Sequence, residues 1–139
     1  MRTLIVVPAD FKPRSSCLIT VSKQVVKRKQ ILSFQHMGLS KKMLETLERI
    51  GYEKPSPVQA GVVPLAMQEF DVIGQARTGT GKTAAFAIPI LEQLDLSVKK
   101  AKPQALILTP TRELAVQVEN EFKRLSDQDR VNCVCLYAV

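Results

Sequence analysis

The chain has 139 residues, 45% apolar and 24% charged, a balance that suits one globular domain or part of one and argues against a disordered or fibrous chain. No run of roughly 18 apolar residues occurs, so no ordinary helical membrane span is encoded. The net charge of +7 hints at nucleic acid, yet seven of the twenty basic residues and one of the thirteen acids fall within residues 1–30. The remainder is nearly neutral, so any basic groove must come from a few placed residues.

Residues 1–31 read as a basic, poorly ordered leader. Their apolar runs are short and broken by Pro8 and Pro13, too polar for a secretory signal. The Arg and Ser content leaves an organelle transit sequence, or an extension upstream of the true start, as alternatives. Lys27-Arg28-Lys29 offers only unspecific phosphate contacts.

From Leu39 the pattern becomes helical. Ser40 is placed to cap, Met43, Leu44, Leu47 and Ile50 share a face, and Gly51 is a stop signal, which predicts a helix over residues 40–50. A second helix starts with Ser56 as cap, Pro57 at the first position and Gln59 at the third. Pro64 is expected to break or bend it, leaving it short. The run from Asp71 to Ala76 reads as a buried strand, followed by a glycine loop and a helix over Lys82–Leu94 that Pro89 should bend.

A charged connector leads to a second strand, Ala105–Leu108, then a turn at Thr109-Pro110-Thr111 and a helix reaching Ser126. Residues 131–139 read as a third strand. Strand, helix, strand, helix, strand in this order predicts an α/β fold with a parallel sheet and right-handed crossovers. Cys17, Cys133 and Cys135 fit neither a disulfide framework nor a four-ligand zinc site and read as buried reduced thiols, which suits a cytoplasmic protein.

The stretch with the most chemistry is Ala76-Arg77-Thr78-Gly79-Thr80-Gly81-Lys82-Thr83. It matches the second half of the phosphate-loop pattern G-x-x-x-x-G-K-[ST], with alanine at the opening position. Glycines free backbone N–H groups to face an anion at a helix start, Lys82 brings a cation to the terminal phosphates, and Thr83 brings a hydroxyl for Mg²⁺. Arg77 faces either the nucleotide or solvent.

This string resembles the first motif of the DEAD-box ATP-dependent RNA helicases. Two further stretches point the same way: "GYEKPSPVQ" is similar to that family's Q motif and "PTRELA" to its motif Ia. The resemblance runs from about Phe34 to Leu125. It implies a RecA-like P-loop domain, here partial, with three core strands, a Q-motif region over residues 32–60 and an ATP-binding region over 61–139. It further implies ATP and Mg²⁺ as cofactors. Gln59 would read the adenine edge, Tyr52 lie against the base and Phe34 pack beside it. Ala76, Thr78, Gly79, Thr80, Gly81, Lys82 and Thr83 would hold the phosphates, with Lys82 and Thr83 as the catalytic subset and Thr83 on the metal. Pro110, Thr111 and Arg112 would contact the RNA backbone without reading sequence.

The residues alone leave other roles open. Ser56-x-x-Gln59 fits a capping box, in which the glutamine reaches back to its own helix start. Phe34 suits simple packing. Arg112 at a helix start is unfavourable to the macrodipole unless an anion is near, but it is also compatible with a solvated arginine balanced by Glu113. His36 has no catalytic partner at a useful spacing.

The family's D-E-A-D, S-A-T and arginine-finger motifs and its second RecA-like domain have no counterpart in the 139 residues. Asp71 begins its strand and so lies at the wrong end, and Glu113 belongs to the motif Ia helix. The polypeptide alone is therefore expected to bind ATP without hydrolysing it, activity requiring the missing carboxy-terminal domain. Other expectations compatible with the phosphate loop are a non-catalytic ATP-binding module, or another P-loop ATPase or kinase.

Overall fold

Tyr52 is delivered by the way the first helix ends. Helix α1 spans Lys41–Arg49, one residue inside the expected bounds at either end, and Gly51 follows with φ +86°. Gly51 N–H donates to the Glu48 carbonyl at 3.0 Å and Tyr52 N–H to the Leu47 carbonyl at 2.8 Å. This paired closure needs a left-handed residue, which glycine adopts without a Cβ penalty, and it satisfies two orphan carbonyls. At the other end the Ser40 hydroxyl accepts from Met43 N–H at 3.1 Å. Ser40 also donates twice to Glu92, from N–H at 2.9 Å and from Oγ at 2.8 Å. Ser40→Ala should thus lower stability by about 1 to 2 kcal/mol, read as a lower urea midpoint with unchanged m-value.

The computed structural model describes residues 5–6, 33–74, 76–97, 102–126 and 131–137. Apart from Ile5 and Val6, the leader lies outside them, as do Cys17 and residues 98–101 of the charged connector. Strand β1, Ile5–Val6, pairs in parallel with β2, Ile73–Gly74, in the register Ile5 to Ile73 and Val6 to Gly74.

Helix α2, Pro57–Met67, carries Pro64 without ending there, contrary to the expected break. One missing N–H is tolerated near a helix end, and the chain stops three residues later at a closure with Glu69 at φ +68°. Helix α3, Lys82–Gln93, likewise continues past Pro89. Six consecutive residues, Ala84 to Pro89, are buried, so α3 is the central rod of the molecule, apolar all round. Its alanines admit α2 on one side. On another, Phe86 meets Phe122 of helix α4, Arg112–Leu125, with ring centroids 6.2 Å apart.

The strand expectations are corrected in part. Only Ile73–Gly74 of the three expected strands is paired; residues 105–108 and 131–137 join no ladder among the described residues. Residues 131–136 alternate between half-buried and exposed, the period-two signature of a half-buried strand, whereas over 105–108 only Ile107 is half-buried. Ile107 and Cys133 pack against the helical core, while Leu108 and Leu136 are 85% and 89% exposed. The alternation fixes which face meets the helices, whereas a ladder requires neighbouring backbones in register, which side-chain pattern does not supply.

The two described thiols are half-buried rather than fully buried, and free. Burial pushes Cys133 up from the usual thiol range, and the hydrogen bond to Glu119 at 3.0 Å does the same for Cys135, so both are held protonated.

Candidate nucleotide-binding site

Among the described residues, three of the four α-helices begin at a hydroxyl cap: Ser40, Ser56 and Thr111 each accept from a first-turn N–H. Helix α3 does not. Its N-cap is Gly81 in the left-handed region with no side-chain cap bond, and no acid stands in its first turn. A half-buried helix start without a side-chain cap leaves orphan N–H donors that an anion can satisfy. The preceding loop turns at Gly79, φ +73°, and Gly81, φ +80°. Thr80 Oγ1 donates to the Arg77 carbonyl at 2.7 Å, and Lys82 Nζ donates to the Ala76 carbonyl at 2.6 Å, closing the loop on itself. Ala76 and Thr83 are half-buried; Arg77, Thr78 and Gly79 are exposed. The half-buried Thr83 hydroxyl in the first turn of α3 is a hard oxygen donor of the kind that Mg²⁺ takes.

Gln59 joins this loop to α2. Its Oε1 accepts from Ser56 N–H at 2.9 Å and its Nε2 donates to the Gly81 carbonyl at 3.2 Å. The capping box legible in the sequence is formed, and the same amide also grips the phosphate loop. Each amide group still has one hydrogen or lone pair to offer, although the side chain is only 2% exposed. An open cleft of about 490 Å³ lies alongside, lined by Tyr52, Ser56, Gln59, Thr80, Gly81 and Arg124 among others.

Tyr52 and Phe34 meet edge to face, ring centroids 6.1 Å apart at 67°. Phe34, in a short 3₁₀ turn over Phe34–His36, is buried and backs the tyrosine rather than lining the cleft. His36 in the same turn is exposed.

Two residues that sequence reasoning missed belong to this end of the site. Glu121 Oε1 accepts the Tyr52 hydroxyl at 2.6 Å, and the Arg124 guanidinium stands 5.5 Å from the Tyr52 ring centroid. Both sit on α4 among other charged residues at helical spacing, so no local pattern distinguishes them from a solvated face.

Pro110, Thr111 and Arg112 form a separate exposed surface at the start of α4, about 18 Å along the helix from Arg124 at 1.5 Å per residue. The Thr111 hydroxyl caps the helix, accepting from Leu114 N–H at 3.2 Å. Arg112 stacks on Tyr137 at 4.0 Å and donates to its hydroxyl at 3.1 Å. Among the described residues no cluster of three potential metal ligands occurs, and no helix is long and apolar enough to cross a membrane.

The family model described as DEAD/DEAH box helicase matches residues 56–138. The DEAD-box ATP-dependent RNA helicase CshA of Geobacillus kaustophilus is 49% identical over 105 residues, covering 76% of this chain and 22% of that protein. The ATP-dependent RNA helicase DeaD of Escherichia coli is 50% identical over 106 residues, covering 76% and 16%. Among solved structures, the RNA helicase Prp28 from Chaetomium thermophilum bound to ADP shares 43% identity with a TM-score of 0.65, over 68% of this chain and 24% of that one. The chain thus spans about a fifth of the length of the curated relatives it matches. Such neighbours have a RecA-like domain at the matched region, which agrees with a phosphate loop set at the start of a central helix. With more than half of its length under that family model, the chain belongs to the DEAD/DEAH box helicases.

Proposed function

We propose that this chain is the ATP-binding portion of the first RecA-like domain of a cytoplasmic ATP-dependent RNA helicase, residues 32–139, carrying part of the RNA-binding surface. The observation that carries this is the uncapped start of α3 joined through the Gly81 carbonyl to the buried Gln59 amide, which sets a phosphate site and a purine-reading group side by side. That the similar Prp28 is bound to ADP supports a nucleotide as the ligand. The phosphates take the amides around Gly79 and Gly81 and the Lys82 ammonium. The base takes the cleft beside Tyr52, and Gln59 offers it one donor and one acceptor, the pair that the adenine edge complements. Mg²⁺ held by Thr83 supplies charge neutralisation on the terminal phosphates.

Pro110, Thr111 and Arg112 are exposed at the start of α4, where a phosphate of single-stranded RNA relieves the unfavourable placement of Arg112. Hydrolysis and duplex separation belong to the complete enzyme with its second domain. Within these 139 residues the candidate carboxylates are poorly placed: Asp71 is exposed ahead of β2, and Glu113 is exposed in the first turn of α4.

Displacement of a fluorescent ATP analogue tests this reading. ATP should compete well and GTP poorly, and Gln59→Ala should weaken ATP by about tenfold while erasing the preference over GTP. An unaltered preference in Gln59→Ala would restrict Gln59 to capping. Multiple-turnover phosphate release by the isolated chain that disappears in Lys82→Ala would refute its inactivity.

A further inference from the structure

We propose that Glu121 and Arg124 of α4 are positioning residues for the base-stacking tyrosine, holding Tyr52 in the orientation that receives the base before any nucleotide arrives. This rests on the nucleotide reading of the cleft. Tyr52 is fixed at three points. Its hydroxyl donates to Glu121 Oε1 at 2.6 Å, its ring meets the edge of Phe34, and the Arg124 guanidinium lies 5.5 Å from the ring centroid. Arg124 is itself tied down, donating to the Ile50 carbonyl at 2.8 Å and standing 3.8 Å from Glu121. Ile50 is the residue at which α1 ends, so one arginine binds both the tyrosine and the turn that delivers it.

Burial, with the Glu121 carboxylate second, pushes the Tyr52 phenol up to about 12. It therefore stays protonated, and stays a donor, throughout the neutral range. Tyr52 and Arg124 both line the cleft that Gln59 and Gly81 complete. An aromatic surface locked before binding loses little rotamer freedom when a base stacks on it, so the lock appears as affinity. The contact spans 69 positions in sequence, which is why neither the Q motif nor motif Ia includes it.

The test titrates ADP and inorganic tripolyphosphate separately into the 139-residue chain and its variants, with thermal melts run alongside. Tyr52→Phe keeps the ring and loses the donor; Glu121→Ala loses the acceptor. Both should weaken ADP by about fivefold and leave tripolyphosphate unchanged. Glu121→Gln, whose amide oxygen still accepts the phenol, should recover most of the loss. The proposal is overturned if Tyr52→Phe and Glu121→Ala bind ADP as the wild type does, or if tripolyphosphate affinity falls in step with ADP, which marks a structural contact only. It is also overturned if Glu121→Gln is as weak as Glu121→Ala. A wild type that binds tripolyphosphate as well as it binds ADP would overturn the nucleotide reading itself, and the positioning role with it.

Discussion

Lys82→Ala should cost the chain about a hundredfold in affinity for ATP, ADP and tripolyphosphate alike, the loss expected from one or two charge-assisted contacts. Without ligand, the ammonium is held 2.6 Å from the Ala76 carbonyl, spanning the loop it serves. A phosphate chain offers it a full negative charge in place of a carbonyl dipole, so the lysine exchanges a weaker partner for a stronger one without leaving the site. Arg77, the loop's other cation, is exposed and is not placed to substitute. Lys82→Arg should restore little, because a planar fork does not reproduce a compact ammonium seated on the Ala76 carbonyl.

Folding should hardly change in Lys82→Ala. The lost hydrogen bond is offset by alanine's better helix propensity at the first turn of α3. Titration calorimetry with tripolyphosphate, together with a urea melt, checks both halves. Binding retained within threefold would remove Lys82 from the phosphate site. The contrast with Tyr52→Phe is informative, since that change should spare tripolyphosphate and this one should not.

The parts of the site written in contiguous residues were legible, and those made by long-range contact were not. Ser40, Ser56 and Thr111 cap where their hydroxyls precede a periodic run, because capping is a local contest for a first-turn N–H. The geometry of the loop reads directly, since its left-handed turns at Gly79 and Gly81 and the helix that starts at Lys82 are set by contiguous residues. Gln59 was ambiguous for a physical reason: one amide has enough donors and acceptors to close the capping box and still bond to Gly81.

Pro64 misled about length, because a single lost N–H is outweighed where the helix is buried on several faces, whereas the helix through Pro89 has the expected length to within one residue. Glu121 and Arg124 gave no signal, as charges on a helix ordinarily mean solvent. Arg112 and Tyr137 lie 25 positions apart and meet only through the fold. The strands at residues 105–108 and 131–137 show the reverse. Their apolar runs were legible, but only Ile107 of residues 105–108 and alternate residues of 131–135 are half-buried, and the hydrogen-bond ladder is not formed among the described residues.

Gly81→Ala should destabilise the chain by about 3 to 5 kcal/mol, far more than the same change at Gly79. Both glycines are left-handed, at φ +80° and +73°, so both substitutions carry a backbone strain of about 1 to 2 kcal/mol. Only Gly81 is crowded. A Cβ there would stand 2.5 Å from Gln59 Nε2 and 3.3 Å from its Cδ, whereas nothing lies within 4 Å of one at Gly79. The glutamine is the end of a flexible side chain, but it is buried and held at both ends of its amide. Moving it aside breaks the bonds to Ser56 N–H and to the Gly81 carbonyl, opening the start of α2 and the phosphate loop together.

The difference between the two alanine variants isolates the Gln59 contact from the strain they share. A double variant sharpens it: Gln59→Ala beside Gly81→Ala removes the side chain that the new methyl would strike. The combined cost should then fall short of the two single costs added together, by about 1 to 2 kcal/mol. Urea unfolding of the four proteins measures this coupling. Equal destabilisation at Gly79 and Gly81, or strict additivity in the double variant, would mean that Gln59 and the glycine loop do not share this packed contact, and that the proposed purine and phosphate halves of the site are built independently.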